Sequence, residues 1–342
     1  MGILITSVQV PFIRGGGEIL AENLREQIAR RGYRVDVLTN PFRFSPASSV
    51  EAAMKWWGEQ DLQQFCASRV DKVIHLKFPC YGAHHPNATT WLLHQFRSYY
   101  ELWDDAQAAD PESRRVRESV QRFDAESLAR IPARYTIART VSDRLLEYNG
   151  LESVPIYHPP KDDVLFYTGD SLPYVFAPSR LEPLKRQMLL VEAMAKVKGR
   201  IHAVIAGEGG HEAALRQRID ELGVHDRVRL VGRLSDERMR AYYANARAVF
   251  FGPYREDYGY VTLEAMLAEK PVITCEDAGG VLEFVIDGAT GAVTEPKAEQ
   301  VAEAIERYAA DPDMAVAHGR AGRQRYRDMR ISWDAVLNAV LA

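Results

Sequence analysis

Cysteine is scarce in this sequence: three residues, Cys66, Cys80 and Cys275, among 342. An odd number with no C-x-x-C spacing excludes a disulfide framework and a structural zinc site. It leaves the three as buried apolar filler in a reducing compartment. An apolar run of about 20 residues, long enough to cross a bilayer, is also missing. Met1-Gly2-Ile3-Leu4-Ile5 has neither a basic lead nor a long apolar stretch. No signal peptide is therefore expected, the expected compartment is the cytoplasm, and the Asn87-Ala88-Thr89 sequon is accidental. Nor does one sign of charge dominate. With 43 Lys+Arg against 47 Asp+Glu the formal net charge is −4, without the basic domain or stripe that marks a nucleic-acid binder. No internal repeat and no low-complexity segment occurs.

What is present is ordinary for a soluble globular protein: 46% hydrophobic and 26% charged residues. At about 150 residues per domain the length corresponds to about two domains. Short apolar runs alternate with helical patterns, the βαβ rhythm of a parallel α/β protein. Strands are expected at Ile3–Val8, Val35–Leu38, Lys72–Lys77, Thr89–Leu93 and Tyr135–Ala138. A helix with Leu20, Leu24 and Ile28 on one face follows the first, closed by Gly32. The stretch 95–134 breaks the rhythm. It reads as a helical elaboration carrying Tyr99, Tyr100 and Trp103. Its arginines (Arg114, Arg115, Arg117, Arg122, Arg130, Arg134) alternate with acids, which favours a solvated face over a surface for an anionic partner.

Proline and glycine thicken between Pro155 and Pro173, where the domain boundary is expected. The rhythm then restarts, with strands at Tyr174–Ala177, Ile201–Ala206, Val228–Val231, Ala248–Phe251 and Pro271–Thr274. A short amphipathic helix closes the chain from Trp333 to Ala342. The expected domains are 1–160, elaborated at 95–134, and 170–330, followed by a C-terminal helix at 331–342 free to cross back to the first domain. Two such halves imply a cleft, a common place for a ligand.

Four features carry chemistry. Gly15-Gly16-Gly17 lies between a strand and a helix, where backbone N–H groups can face an anion. It is neither a Walker loop nor G-x-G-x-x-G, and a turn needing positive φ explains it equally well. Arg180 and Lys185 follow the strand at Tyr174–Ala177 and precede a helix with Leu189, Leu190 and Ala193. Two cations there suit a diphosphate, Arg by gripping two oxygens and Lys as a point charge; exposed surface cations are the plain alternative. Glu256 and Glu264 stand eight positions apart across Gly259. The first is expected in a loop and the second on a helix, placed to hold hydroxyls of a sugar and of a ribose, or only to complement a helix dipole. Among the histidines His75, His84, His85 and His94, the spacing matches no standard metal site. His94 falls at the C-terminal end of an expected strand, the edge where open parallel sheets bind ligands; a structural histidine is the alternative.

These residues resemble the retaining glycosyltransferases of family 4. The resemblance runs nearly the whole length: Gly15-Gly16-Gly17-Glu18, then Ser179-Arg180-x-x-x-x-Lys185, Ala206-Gly207-Glu208-Gly209, Glu256-x7-Glu264, and Ala278-Gly279-Gly280 with Glu283. It implies a GT-B fold, α/β, with two Rossmann-like domains facing each other across a cleft, the first on the acceptor side and the second binding the nucleotide sugar. It implies that Arg180 and Lys185 bind the donor diphosphate and stabilise the leaving nucleotide. Glu264 would hold the ribose, and Glu256 the donor sugar. Amides near Tyr260 and Val261 would touch sugar or phosphate, Gly16 and Gly17 would approach the phosphates, and His94 would sit beside the transferred sugar. Tyr258, Gly259, Gly207 and Glu208 complete the donor site, with the base near Gly232-Arg233-Leu234. Where the family has Phe-Gly-Leu this chain has Tyr258-Gly259-Tyr260, whose extra hydroxyls bear on the preferred sugar.

The implied activity is transfer of a hexose from a nucleotide-diphosphate sugar, UDP- or GDP-linked, to a hydroxyl acceptor with retention. The departing phosphate takes the acceptor's proton. No cofactor and no metal is implied, since the cation pair replaces it and no Asp-x-Asp lies near the site. The acceptor, whether glycan, lipid or small molecule, is left open, and the stretch 95–134 is the least family-like. A membrane partner rests on a surface helix there, whose mixed charge argues against it. A nucleotide-sugar epimerase and a non-catalytic nucleotide-sugar-binding protein are the alternative functions on the same architecture.

Overall fold

The computed structural model describes residues 1–12, 15–65 and 68–342. Cys66 lies outside the described residues; Cys80 and Cys275 are free and buried. The chain forms two compact units, one of Met1–Lys161 together with Ser332–Ala342, the other of Asp162–Ile331.

The first unit is built on a six-stranded sheet. In spatial order its strands are Arg34–Pro41, Gly2–Gln9, Lys72–His75, Ala88–Leu92, Ala133–Thr136 and Val154–Pro155. Every neighbouring pair is parallel. Strands covered on both faces read as apolar runs, which is why Ile3–Val8 and Lys72–Lys77 were legible. The helix Gly16–Arg30 buries Leu20, Leu24 and Ile28 on the stripe that its spacing predicts. The expected strand Tyr135–Ala138 sits two residues earlier, at Ala133–Thr136, because Ile137 and Ala138 already lead into the helix Arg139–Asn149. The helix Ala47–Gly58, not anticipated, buries Val50, Ala53, Met54 and Trp57.

The stretch 95–134 is helical, as expected, with turns at Arg97–Tyr99, Asp105–Ala109 and the long helix Pro111–Ala129. Arg114, Arg115, Arg122 and Arg130 are exposed, as their alternation with acids suggests, and Arg117 and Arg134 are half-buried. Arg117 donates to the Tyr99 carbonyl and lies over the Trp103 ring, and Arg130 and Arg134 cap backbone carbonyls. Arg115 makes a two-pronged pair with Glu51.

This helix also contributes a buried carboxyl. Asp124 has no exposed surface and accepts hydrogen bonds from Tyr81 Oη at 2.6 Å and Tyr100 Oη at 2.7 Å. Burial pushes its pKa up to about 7, against the pull of the two phenols. An unfolded aspartate ionises near about 3.9. Unfolding therefore releases a proton between these values, and this group favours the folded state most below about pH 4 and progressively less up to about pH 7. Asp124→Asn should flatten that slope. In urea titrations from pH 4.5 to 7.5, wild type should lose on the order of a few kcal/mol relative to the variant. Parallel pH profiles for the two proteins would refute the assignment.

The C-terminal helix Trp333–Val340 belongs to this first unit. Ser332 caps it, Val336, Leu337 and Val340 are buried, and Trp333 packs against Trp91 and His158. Lys72, 2% exposed, donates to the Ala342 carbonyl at 2.6 Å and to Asn87 Oδ1 at 3.2 Å.

The second unit has its own six-stranded parallel sheet. The spatial order is Val228–Leu230, His202–Ala206, Tyr174–Pro178, Ala248–Phe250, Val272–Cys275 and Gly291–Thr294. Five of these lie within a residue or two of the expected runs. The sixth was not anticipated, because Gly291 opens it. A Cβ there would stand 2.1 Å from the Val272 carbonyl oxygen, so glycine marks close strand packing rather than a break. The core gathers Val175, Ile205 and Phe250 from the sheet with Leu190, Leu215 and Ile305 from the covering helices. Among the described residues no helix is long and apolar enough to cross a membrane.

Candidate functional site

Because every strand of the second sheet points the same way, the loops that follow the strands collect along one edge. The loop after Pro178 carries Arg180 and Lys185, that after Ala206 carries Gly207 and Glu208, and that after Leu230 carries Arg233 and Leu234. The loop after Phe250 carries Glu256, and Gly279 and Gly280 follow Cys275. The motifs, scattered over 100 residues of sequence, are thus brought together by topology.

Backbone packing holds these loops. Gly207 has φ +136°, and a Cβ on it would lie 1.8 Å from the Ser179 carbonyl oxygen; one on Gly209 would lie 2.3 Å from that of Leu181. These close approaches allow Ser179 N–H to donate to Ala206 O at 2.9 Å and Leu181 N–H to Glu208 O at 3.0 Å. Gly207 and Gly209 therefore seat the Arg180 loop, a packing role in addition to the donor contact expected for Gly207. In the same way Gly279 and Gly280 admit the Glu256 and Asp257 backbones, with Glu256 N–H donating to Ala278 O at 3.0 Å and Gly280 N–H to Glu256 O at 2.8 Å.

Lys185 and Glu256 meet directly. Lys185 Nζ lies 2.6 Å from Glu256 Oε2, with 17% and 19% of their side chains exposed, so Lys185 is no free surface cation. Arg180 is half exposed and only 3.8 Å from Glu182. Its carbonyl accepts from the buried Gln187 amide at 2.9 Å. A staple unseen in the sequence joins the Lys185 loop to the loop after Cys275: Arg186, at φ +54°, grips Asp277 with both terminal guanidinium nitrogens at 2.7 Å and stacks over Tyr254. No spacing rule signals that pair, because the partners are 91 positions apart.

Gly259, at φ +85°, caps the helix Tyr260–Leu267, as its place in the motif suggests. A Cβ there would press on Phe251 and Val281. Tyr258 is buried, edge-on to both Tyr260 and Phe284, whereas Tyr260 and Val261 are half-buried at the helix start. The ring whose hydroxyl is expected to bear on the sugar at Tyr258 is thus buried. Glu264, half-buried on the same helix, accepts a hydrogen bond from Tyr243 Oη at 2.6 Å. Burial raises its pKa, the Tyr243 hydrogen bond opposes this, and nearby Asp236 adds to the rise. Arg233 is exposed and Leu234 buried, beyond Gly232 at φ +66°.

The first unit presents its own C-terminal edge. Gly15 is extended at φ −127°, and neither Gly16 nor Gly17 has positive φ, so a left-handed turn does not explain the run. Gly17 instead lets the helix start press on Leu93, 3.1 Å from where its Cβ would be. Glu18 accepts from the Gly15 amide at 2.9 Å and from Lys77 Nζ at 3.1 Å. Burial alone would raise its pKa, but Lys77 and that amide hold it below the usual range. His94 follows Leu93, half-buried, its Nδ1 2.6 Å from the Gln95 carbonyl and hence the protonated nitrogen. His94, Gly16 and Gly17 thus stand on one unit and the Arg180, Lys185, Glu256 and Glu264 set on the other.

The remaining histidines are not ligands of one centre. His75 is buried against Thr6 Oγ1 at 2.7 Å, and burial pulls its pKa down to about 3. Among the described residues no three His, Cys, Asp or Glu side chains converge as metal ligands.

Comparison with known proteins bears on these loops. Residues 168–325 match the family model described as glycosyl transferases group 1. A GDP-mannose-dependent alpha-(1-6)-phosphatidylinositol monomannoside mannosyltransferase of Mycobacterium tuberculosis is 36% identical over 176 residues, 48% of this chain and 45% of that protein. The chain thus aligns with about half the length of the curated relatives it matches. Among solved structures, a sucrose-phosphate synthase from Thermosynechococcus elongatus shares the fold with a TM-score of 0.80 and 22% identity, covering 98% of this chain and 96% of the other. The Anabaena protein HepE, solved in complex with UDP and glucose, has a TM-score of 0.71 at 20% identity, covering 97% and 96%. The architecture, two parallel six-stranded sheets clad in helices, is the GT-B fold.

Proposed function

We propose that this chain, whose residues 168–325 carry the group 1 glycosyl transferase pattern, moves a sugar from a UDP- or GDP-sugar to a hydroxyl acceptor with retention at the anomeric carbon. The observation that carries the reading is the Lys185–Glu256 pair at 2.6 Å on the loop edge of the parallel sheet, with Arg180 on the same loop as Lys185. A cation already paired to a carboxylate can exchange that partner for a donor phosphate. The freed carboxylate then faces the hydroxyls of the donor sugar. The matched relative is named for GDP-mannose and the Anabaena neighbour for its UDP complex, which supports a nucleoside-diphosphate donor.

In this reaction the bond between sugar C1 and the β-phosphate oxygen breaks. The acceptor hydroxyl oxygen bonds to C1 on the same face, and the departing phosphate oxygen takes the hydroxyl proton. Negative charge grows on the diphosphate as the sugar turns oxocarbenium-like. Arg180 and Lys185 are fixed donors toward that charge, so they act most strongly where it develops. They supply the charge stabilisation without a metal. Glu256 orients the sugar, Glu264 the ribose, and His94, with Nδ1 tied to the Gln95 carbonyl, offers Nε2 at the first unit's edge.

Incubation with UDP-, GDP-, ADP- and dTDP-sugars tests the proposal. One donor at about 100 times its Kd should raise the midpoint of thermal unfolding by about 5–10 °C. Without acceptor it should slowly yield free sugar and nucleoside diphosphate on chromatography. Conversion to a second nucleotide sugar would mark an epimerase, binding with neither outcome a non-catalytic binder, and no shift with any donor would end the nucleotide-sugar reading.

A further inference from the structure

We propose that Tyr243 is a positioning residue of the nucleotide site, holding the Glu264 carboxylate in the orientation that offers a free oxygen to a ribose diol. The inference rests on the nucleotide-sugar reading above and goes further by assigning ribose selectivity to a residue that touches no ligand.

Three observations carry it. First, Tyr243 is fully buried on the helix Asp236–Asn245, and its hydroxyl donates to Glu264 Oε2 at 2.6 Å. Second, its ring is fixed. Phe176 packs against it at 5.1 Å with planes at 90°, and Phe166 at 5.9 Å with planes at 68°. The hydroxyl therefore stays where it is when the site empties or fills. Third, the hydrogen bond occupies Oε2, and Tyr243 is the donor to this side chain among the described residues. Oε1 and the second lone pair of Oε2 are left to accept from two adjacent hydroxyls.

The arrangement answers a specific difficulty. A half-buried carboxylate loses hydration and tends to take up a proton, and a protonated carboxyl accepts hydroxyls poorly. The charged and titratable groups facing Glu264 are Tyr243 and Asp236 on the neighbouring helix and Tyr260 one turn earlier on its own. Asp236 favours the proton, so Tyr243 is the group that opposes it. Donation from Tyr243 favours the ionised carboxylate and restrains its rotation.

The test is calorimetric titration of GDP and UDP, and of their 2′-deoxy forms, into wild type, Tyr243→Phe, Glu264→Gln and the double variant from pH 5 to 8. Tyr243→Phe keeps the ring packing and should weaken the ribonucleotides by about tenfold or more, the scale of a hydrogen bond to a charged group. It should bring the ribose and deoxyribose affinities close to parity. The acid limb of binding should move to higher pH. In the Glu264→Gln background the same change should cost nothing further. A packing role alone would give additive losses and an unmoved acid limb, and either result overturns the proposal, as does an unchanged preference for ribose. Should Tyr243→Phe fail to fold, Glu264→Asp, which withdraws the carboxylate from the hydroxyl, must show the same loss of ribose preference or the proposal falls. If wild type binds no nucleoside diphosphate, the transfer reading fails and this inference fails with it. If wild type binds and the variants match it, only the inference fails.

Discussion

Alanine at position 180 should cut glycosyl transfer by on the order of 100-fold while leaving the fold intact, because preorganised charge stabilisation of a leaving group is worth about 3 kcal/mol per contact. The structural side of this expectation is unusually clean. Arg180 is half exposed and its acidic neighbour Glu182 is 3.8 Å away, so removing the guanidinium disturbs little. The loop itself is held by the Arg180 carbonyl, which alanine keeps, on the Gln187 amide. Thermal unfolding should match wild type to within about 0.5 kcal/mol. Lys185→Ala should lose at least as much activity but not so innocently. Its ammonium neutralises Glu256, and without it a carboxylate only 19% exposed is left without its cation. That variant should unfold measurably earlier, while Lys185→Ala/Glu256→Gln should regain stability and remain inactive. Wild-type turnover in both single variants would remove the cation pair from the chemistry and with it the mechanism proposed here.

Gly207→Ala should be among the most destabilising single changes in the second unit. The residue combines φ +136° with a space that ends 1.8 Å from the Ser179 carbonyl oxygen. Backbone strain of that kind costs about 1–3 kcal/mol, and forcing a methyl into filled space about 1–3 kcal/mol more. The obstacle is main chain, so no side chain can turn aside to absorb it. Relief requires the Ser179–Leu181 loop to retreat, which stretches the Ser179-to-Ala206 and Leu181-to-Glu208 hydrogen bonds and carries Arg180 away with it. The expected result is a loss of about 3–5 kcal/mol in urea unfolding and nucleotide affinity reduced in the molecules that stay folded. Gly210→Ala is the control, since a Cβ there meets nothing within 4 Å. Equal behaviour of the two variants would contradict the packing role.

What could be read from the sequence, and what could not, follows from how far the cause of each feature lies along the chain. Strands such as Gly2–Gln9 and His202–Ala206 declare themselves because a doubly covered parallel strand is a local apolar run. The spacing of Glu256 and Glu264 is equally local, with Gly259 between them. The glycines misled in part. Gly207, read as a contact to ligand, packs closely on backbone, a role the sequence did not signal, while Gly15–Gly17 need no positive φ. Both readings rest on the absence of a side chain, and sequence alone does not say what occupies the vacated space. Tyr243 and Asp277 were not singled out, and Asp124 counted only among the acids that alternate with the arginines of 95–134. Each acts through a partner brought to it by the fold, 21 positions away for Tyr243 and Glu264, 91 for Asp277 and Arg186, and 43 for Asp124 and Tyr81. An apolar helix position occupied by a tyrosine looks like core until its hydroxyl is seen to have an acceptor.

The first unit is assembled from both ends of the polypeptide, with Ser332–Ala342 added to Met1–Lys161. A ribosome making this chain delivers the second unit whole before it delivers the last strip of the first. Until that strip emerges, Trp91 and His158 lack the indole of Trp333, and Lys72 lacks the carbonyl of Ala342. The half bearing Lys185 and Glu256 can therefore reach its finished form on the nascent chain, while the half bearing His94 waits for Ser332–Ala342, which are made after it. In the order of synthesis, the amino-terminal half is thus completed after the half that follows it.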